Sequence, residues 1–128
     1  MQSDKSSFRF KREEHLKGRK EIQGVFSKGK RYGCQGARLF VLKNNLPYNR
    51  ICFTFSRVSK KNKVSYILWN AVARNRSRRL GREAFRLMKG RISGGYDLIL
   101  LIYPESGMAL SVRMSQLEFL FSKAGLII

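Results

Sequence analysis

The sequence has few of the residues on which catalysis or metal binding by a protein depends. It contains one histidine, His15, and two cysteines, Cys34 and Cys52, which are too far apart in sequence to form a metal-ligand pair. Only 8 of the 128 residues are Asp or Glu. This composition argues against a structural zinc site and against a nuclease that cleaves without a partner. The two cysteines are expected to be free thiols in a reducing cytosol.

Long apolar segments are also missing. The most apolar stretch, residues 98–102, has the length of a strand, whereas a membrane-spanning helix needs about 20 apolar residues. Residues 1–7 contain no apolar signal core and are predicted to be a frayed tail, so we expect the protein to stay in the cytoplasm. A role at a membrane surface is therefore the weakest of the functional alternatives.

Positive charge is what the sequence has in excess. Lys and Arg number 27, which gives a formal net charge of +19, whereas a small domain usually stays within about 2–8 charges of neutral. This excess indicates a nucleic acid or an anionic membrane as the partner. With 43% hydrophobic residues and no internal repeat or linker, residues 1–128 are predicted to form one domain with a modest core.

The charge is most concentrated in residues 70–86, which are predicted to form a helix. Helical spacing puts four arginines along one flank, namely Arg74, Arg78, Arg82 and Arg86. The opposite side is predicted to be buried and carries Ala73, Leu80, Ala84, Leu87 and Met88. Glu83 is the only acid among these arginines, so like charges repel one another along the helix. A polyanion would relieve that repulsion.

The rest of the pattern predicts a small α+β domain with three helices on one mainly antiparallel sheet, in the order α-β-β-β-α-β-α. The other predicted elements are a helix over 19–28, strands over 38–43, 50–56 and 64–69, a strand over 96–103 and a helix over 111–123. The second strand is predicted to be the hairpin partner of the first, and the nearly all-apolar strand over 96–103 should lie centrally. If the strands that flank the arginine helix are parallel, a right-handed crossover is the general expectation.

Three blocks of the sequence carry a resemblance to a known family. They are residues 8–31, residues 70–85 with Arg74-Asn75-Arg76, and residues 96–102 with the apolar segment that follows. They resemble the protein component of bacterial ribonuclease P, whose signature helix contains the same Arg-Asn-Arg triplet. The resemblance implies a fold like domain 2 of ribosomal protein S5, with a rare left-handed βαβ crossover in place of the right-handed default.

The same resemblance implies a function. Members of this family are subunits of an endoribonuclease in which a large catalytic RNA carries the active site and its Mg²⁺ ions. The complex removes the 5′ leader from precursor tRNA, and the protein helps it to bind leader and metal. The chain would then contain no catalytic residue and no metal ligand of its own, and its partners would be the catalytic RNA and precursor tRNA.

Residue by residue, the resemblance implies two RNA-binding sites. The catalytic RNA would contact Arg74, Asn75, Arg76, Arg78, Arg79 and Arg82, and guanidinium groups suit this role because they bind phosphate in a bidentate manner. The leader would lie in a cleft between the first helix and the sheet, formed by Ile22, Phe26, Arg38, Phe40 and Thr54. Aromatic rings in such a cleft stack on any base, as many different leaders require.

Two features depart from the family pattern. Ile22 stands where the family often has an aromatic residue, and residues 62–69 intervene before the signature helix. The insertion leaves open whether Thr54 or Ser56 is the polar residue of the cleft. For Phe26 and Phe40 the alternative interpretation is that both rings belong to the core. The alternative function is that of a general RNA-binding protein of the ribosomal type, without a leader cleft.

Overall fold

The computed structural model describes residues 11–56, 70–103 and 109–128. In this part of the chain three α-helices pack against one four-stranded sheet, so the predicted α+β class is confirmed. The elements in chain order are a 3₁₀ turn over Arg12–Glu14, helix α1 over Arg19–Lys28, strands β1 over Lys30–Cys34, β2 over Ala37–Lys43 and β3 over Arg50–Phe55, helix α2 over Ala71–Met88, a 3₁₀ turn over Lys89–Arg91, strand β4 over Tyr96–Ile102 and helix α3 over Leu110–Lys123.

The strands of the sheet lie in the order β1-β2-β4-β3. The pairs β1–β2 and β2–β4 are antiparallel, whereas β3 and β4 are parallel and are joined through α2. The prediction that β3 is the hairpin partner of β2 is therefore wrong, because β4 lies between them. The physical reason is that Leu98, Ile99 and Leu100 are buried on both faces of β4, so this strand is most stable in the interior, as predicted for it.

Within the described residues the elements follow the predicted order, with β1 as the first of the three strands that precede α2. Strand β1 was not predicted, since its sequence is short and mixes basic residues with glycine. The predicted strand over 64–69 and the predicted tail over 1–7 lie outside the described residues. A left hand for the crossover from β3 through α2 to β4 stays a prediction from the resemblance.

Helix α2 begins at a capping residue and packs closely on the sheet. The side chain of Asn70 accepts a hydrogen bond of 3.0 Å from the backbone N–H of Ala73, which satisfies one of the free donors at the helix start. The buried stripe of the helix consists of Ser77, Gly81, Ala84, Phe85 and Met88. Gly81 permits a close approach, because a Cβ there would lie 2.8 Å from the ring of Phe53.

Of the predicted buried side of α2, only Ala84 and Met88 are buried, whereas Ala73 and Leu80 are half-buried. Leu87 is 39% exposed, whereas Phe85, which was not assigned to that side, is buried. From Ser77 the buried positions follow one another at intervals of four and three residues, as expected for one face of a helix. Leu87 falls outside this face and therefore points toward solvent.

A buried arginine fixes the first half of α2 against α3. Arg113 is 1% exposed, and it donates hydrogen bonds of 2.8 Å to the hydroxyl of Ser77 and to the side-chain oxygen of Gln116. Gln116 in turn donates to the backbone oxygen of Gln35, at the turn between β1 and β2. Helical spacing in the sequence of α3 predicted the core residues Leu117, Leu120 and Phe121 correctly. It did not predict this polar network.

The two faces of the sheet carry separate apolar clusters. The larger one lies under α2 and α3 and includes Ile51 and Phe53, as the alternation in β3 predicts. The smaller one lies under α1 and consists of Leu16, Val25, Phe40 and Ile99. Within the described ranges, no helix is both long enough and apolar enough to cross a membrane.

Candidate nucleic-acid interface

The outward face of α2 is lined with basic side chains. Asn75, Arg76, Arg79 and Arg82 are exposed, and Arg74 and Arg78 are half-buried beside them. An open depression on this face is lined by Arg76, Arg79, Leu80, Arg82, Glu83 and Arg86. The six residues that the resemblance assigned to binding of the catalytic RNA thus share one surface of a single helix, which we call the arginine face.

The cations that line the depression differ in their partners. Arg86 forms a two-point ion pair with Glu83, with N–O distances of 2.5 and 3.1 Å. These hydrogen bonds lower the pKa of the Glu83 carboxyl and raise that of the Arg86 guanidinium. In the described part of the chain, no acidic side chain pairs with Arg76, Arg79 or Arg82. Their charge is therefore available to an external anion.

Arg78 is oriented by two neighbours. Its Nη1 donates a hydrogen bond of 3.0 Å to Oδ1 of Asn75, and its Cζ lies 5.1 Å from the centroid of the Phe55 ring. Both contacts limit the rotamers of a long side chain, so the guanidinium is arranged before any ligand arrives. Hydrophobic alternation predicted Phe55 only as a core residue, and no signal in the sequence connects it with Arg78.

The start of α2 favours an anion as well. Its first turn contains no acidic residue, although acids are stabilising at the positive end of a helix dipole. Arg74 lies close to this end instead, so the partial charge of the helix and the charge of the side chain have the same sign. A phosphate group would be attracted by both.

On the other face of the sheet, α1 presents one aromatic ring to solvent. Phe26 is 39% exposed and contacts Phe40 edge-on, with 4.8 Å between the ring centroids. Phe40 is 5% exposed and belongs to the cluster under α1, against which Ile22 also packs. Of the two predicted cleft aromatics, Phe26 is thus the one with an accessible ring, and Phe40 supports it from below.

Arg38 and Thr54 lie in one row across the same face. Arg38 is opposite Leu101 in the register, and Leu101 is opposite Thr54. The next residue of β3 is Phe55, which faces the opposite side of the sheet and contacts Arg78. Because β3 is an edge strand, the row and the arginine face approach each other around that edge. The hydroxyl of Ser56 is buried, which favours Thr54 as the polar residue of the cleft.

The N-terminal segment packs beside the end of α2. Glu14 accepts a hydrogen bond of 2.9 Å from Lys89, just beyond the helix. Burial lowers the pKa of the neighbouring His15, and the positive charges of Arg82 and Lys17 lower it further. His15 is only partly buried, so the sequence interpretation of a surface histidine is incomplete.

The described residues offer little to a metal ion. They contain no group of three or more His, Cys, Asp and Glu side chains that could hold one. Cys52 lies under the edge of α1, where burial raises the pKa of its thiol.

Comparisons with known proteins agree with this geometry. The family described as Ribonuclease P matches residues 10–125. The chain is 35% identical over 89 residues to the ribonuclease P protein component of Alkaliphilus metalliredigens, covering 70% of this chain and 72% of that protein. It is 42% identical over 86 residues to that of Natranaerobius thermophilus, covering 67% of each chain.

Solved structures give the same fold. The ribonuclease P protein of Staphylococcus aureus superposes with a TM-score of 0.72 at 24% identity, covering 90% of this chain and 98% of that one. The protein from Thermotoga maritima superposes with a TM-score of 0.69 at 23% identity, covering 86% and 96% of the two chains.

The fold is that of a small single-domain α+β protein, and the arginine face gives it one strongly basic helix. Together with the sequence matches, they identify the family: the chain belongs to the ribonuclease P protein family. It is thus a tRNA-processing subunit of a ribonuclease, and the alternative of a general RNA-binding protein is not favoured.

Proposed function

We propose that this protein binds the catalytic RNA of ribonuclease P through the arginine face and holds the 5′ leader of precursor tRNA against the α1 side of its sheet. The observation that carries the proposal is the set of exposed arginines that have no acidic partner in the described ranges, Arg76, Arg79 and Arg82. Phosphate contacts of this kind position a protein on its RNA without reading sequence. That suits a subunit that docks onto one folded RNA.

The leader part of the proposal is supported by the exposed ring of Phe26 and by the row that contains Arg38 and Thr54. An unpaired base that stacks on an aromatic ring gains about 1–3 kcal/mol, and every base has a face to offer. The row ends beside Arg78, so a strand that leaves the catalytic RNA at the arginine face could continue directly onto the sheet.

The chemistry of the described acids argues for a catalytic centre outside this chain. Of the six acids in the described ranges, Asp97, Glu14 and Glu83 form ion pairs with cations of the protein, and none of the six belongs to a group of three or more side chains that could hold a metal ion. This donor set does not fit Mg²⁺ held by the protein alone, because that ion needs several free oxygen ligands. In the proposal, Mg²⁺ is bound mainly by the RNA, and no catalytic step is assigned to a residue of this protein.

The test is cleavage of precursor tRNA at low Mg²⁺ by a bacterial catalytic RNA, with the protein, without it, and with the protein alone. We expect cleavage to be stimulated only when both components are present, and Arg78→Ala to weaken the stimulation. Lys43→Ala is the matched control, because Lys43 is an exposed cation at the far end of β2.

Two results would contradict the proposal. Binding of RNA without stimulation would indicate a general RNA-binding protein. Cleavage by the protein alone would show that the active site lies in this chain.

A further inference from the structure

One face of β1 is not covered by the helix that covers its neighbours. Arg31 and Gly33 are opposite Phe40 and Arg38 in the register, so they lie on the α1 side of the sheet. The alternating residues Tyr32 and Cys34 pack against the larger cluster on the other side. Helix α1 packs over β2 and β4, and both Arg31 and Gly33 are exposed.

Two arginines lie close together on this uncovered face. Arg31 and Arg38 are diagonal neighbours on adjacent antiparallel strands, a relation that separates two residues by about 7–8 Å. Within the residues that the structure describes, neither guanidinium has an acidic partner. Two cations in this relation repel each other, and a chain of phosphates would neutralise both.

The strand leaves room for such a chain. Gly33 is directly opposite Arg38, and a Cβ at Gly33 would meet no other atom within 4 Å. The backbone at this position is therefore open to solvent beside Arg38, which leaves space for a ligand there.

An aromatic ring borders the same space. Arg31 is opposite Phe40, which lies beneath the exposed ring of Phe26. A ring flanked by guanidinium groups is the arrangement that binds single-stranded nucleic acid, with a base on the ring and phosphates on the cations. A duplex would not fit this arrangement, because its bases are stacked on one another and cannot reach the ring.

We propose that Arg31, Gly33 and Arg38 form a phosphate-binding subsite for the distal part of a single-stranded leader. This inference rests on the proposed function, since its ligand is the same leader. The strand would pass from Arg78 and Thr54 at the β3 edge, across Leu101, to the subsite at the β1 edge. Three strand spacings separate those edges, about 14 Å, so only a leader of several nucleotides reaches the subsite.

The experiment compares Arg31→Gln with Lys30→Gln in the complex with catalytic RNA. Lys30 is exposed and adjacent in β1, and it lies on the opposite side of the sheet because it is opposite Val41. Both variants lose one charge from the same strand, so they differ only in the face that is altered. Binding is measured for precursor tRNA with a leader of about ten nucleotides, within the range of about 4–16 that single-strand binders cover, and with one of about two, which is below that range.

We expect Arg31→Gln to weaken binding of the long-leader substrate about fivefold and to reduce its salt slope by about 0.7, the value for one single-strand phosphate contact. Binding of the short-leader substrate should not change, and Lys30→Gln should leave both substrates unaffected. Arg31→Lys should restore part of the loss. Gly33→Val should also weaken long-leader binding, because it fills the space without changing the charge.

Four outcomes would overturn the inference. Equal losses for Arg31→Gln and Lys30→Gln would indicate a general electrostatic field. An equal loss for both leader lengths would mean that Arg31 contacts another part of the complex. No loss for Arg31→Gln, while the unaltered protein still prefers precursor to mature tRNA, would remove the subsite and leave the proposed function intact. Absence of that preference in the unaltered protein would instead remove both.

Discussion

Two groups of cations in this protein differ in what neutralises them. Arg50 and Lys89 are half-buried and form ion pairs with Asp97 and Glu14, at distances of 2.6 and 2.9 Å. The exposed arginines of α2 that have no acidic partner among the described residues are Arg76, Arg79 and Arg82. The first group is satisfied by the fold, and the second is left for a ligand.

The comparison teaches that the number of positive charges does not by itself indicate which of them bind RNA. In the sequence Arg50 and Arg82 are two of many arginines, and nothing local marks either of them as paired with a distant acid. What separates them is a partner that is distant in sequence, since Asp97 lies 47 positions from Arg50 and Glu14 lies 75 positions from Lys89. Loss of a paired cation or its acid should affect stability, whereas loss of an unpaired one should affect binding.

The largest expected effect is on stability, from Asp97→Asn. Asp97 accepts hydrogen bonds from Nε and Nη2 of Arg50 and from the amide of Asn44. The substitution removes the charge that balances Arg50, whose side chain is 27% exposed, so it should lower the free energy of unfolding by about 2–4 kcal/mol. Urea denaturation measures this loss. Glu83→Gln, which breaks the exposed pair on α2, is the control and should cost much less.

A loss for Asp97→Asn no larger than that of the control would contradict the division into structural and ligand-binding cations. RNA affinity of the folded variant should be unchanged, because Arg50 lies four residues before Thr54 in β3, about 13 Å along the strand from the row that is proposed to hold the leader. A specific loss of RNA affinity would move Arg50 into the second group.

The next prediction compares two arginines on the same helix. Arg82→Gln should weaken binding to the catalytic RNA about tenfold and lower the salt slope by about one phosphate contact. Arg86→Gln should have a smaller effect, because Glu83 already balances that charge. Filter binding or fluorescence anisotropy at several salt concentrations measures both. Arg82→Gln should not lower stability, since it removes a repulsive charge.

Glu83→Gln sharpens the same comparison. Without the carboxylate, Arg86 joins the unpaired cations, and affinity for the catalytic RNA should rise. Equal losses for Arg82→Gln and Arg86→Gln, together with no gain for Glu83→Gln, would show that ion pairing on the helix does not decide which cations bind.

A smaller effect is expected from Phe55→Leu. The ring holds the guanidinium of Arg78 at 5.1 Å, and a contact of this kind contributes about 0.5–1 kcal/mol at an exposed site. The variant should therefore bind catalytic RNA about threefold more weakly, through Arg78 alone. In a double-mutant cycle with Arg78→Gln, the loss from Phe55→Leu should disappear. Additive losses would mean that Phe55 acts through the core and not through the arginine.

Much of this division could be predicted from the sequence where the signal is local. Helical spacing identified the arginine face, because residues three and four apart meet on one side of a helix whatever the rest of the chain does. Period-two alternation identified the core residues of β3 for the same reason. The apolar composition of β4 was enough to predict its central position.

Features that depend on long-range packing could not be predicted. The pairing of β3 with β4 in place of β2 is decided by which strand gains most from an interior position. The buried Arg113 and the stacking of Arg78 on Phe55 each join segments that are remote in sequence. The sequence contains one weak indication of the proposed phosphate subsite, because Arg31 and Gly33 alternate with Tyr32 and Cys34 as in a strand. This segment is too short and too basic to be recognised as a strand from its sequence alone.

The smallest predicted effect concerns the pKa of His15, which reports on the arginine face from within the protein. Burial and the positive charges of Arg82 and Lys17 all disfavour the imidazolium, so its pKa lies below the ordinary value. Arg82→Gln should raise this pKa, and Lys17→Gln should raise it less, because Arg82 is the larger of the two charge effects. NMR titration of the imidazole protons measures each shift.

Binding of the catalytic RNA should also raise the pKa of His15. A phosphate on Arg82 offsets the charge that disfavours the imidazolium, so the pKa of His15 should rise when catalytic RNA binds, and the rise should be smaller in Arg82→Gln. A fall on binding would mean that the RNA buries His15 further without neutralising Arg82. In that case the cation would be near the RNA but not in contact with its phosphates, and Arg82 would leave the group of unpaired arginines that carries the proposed function.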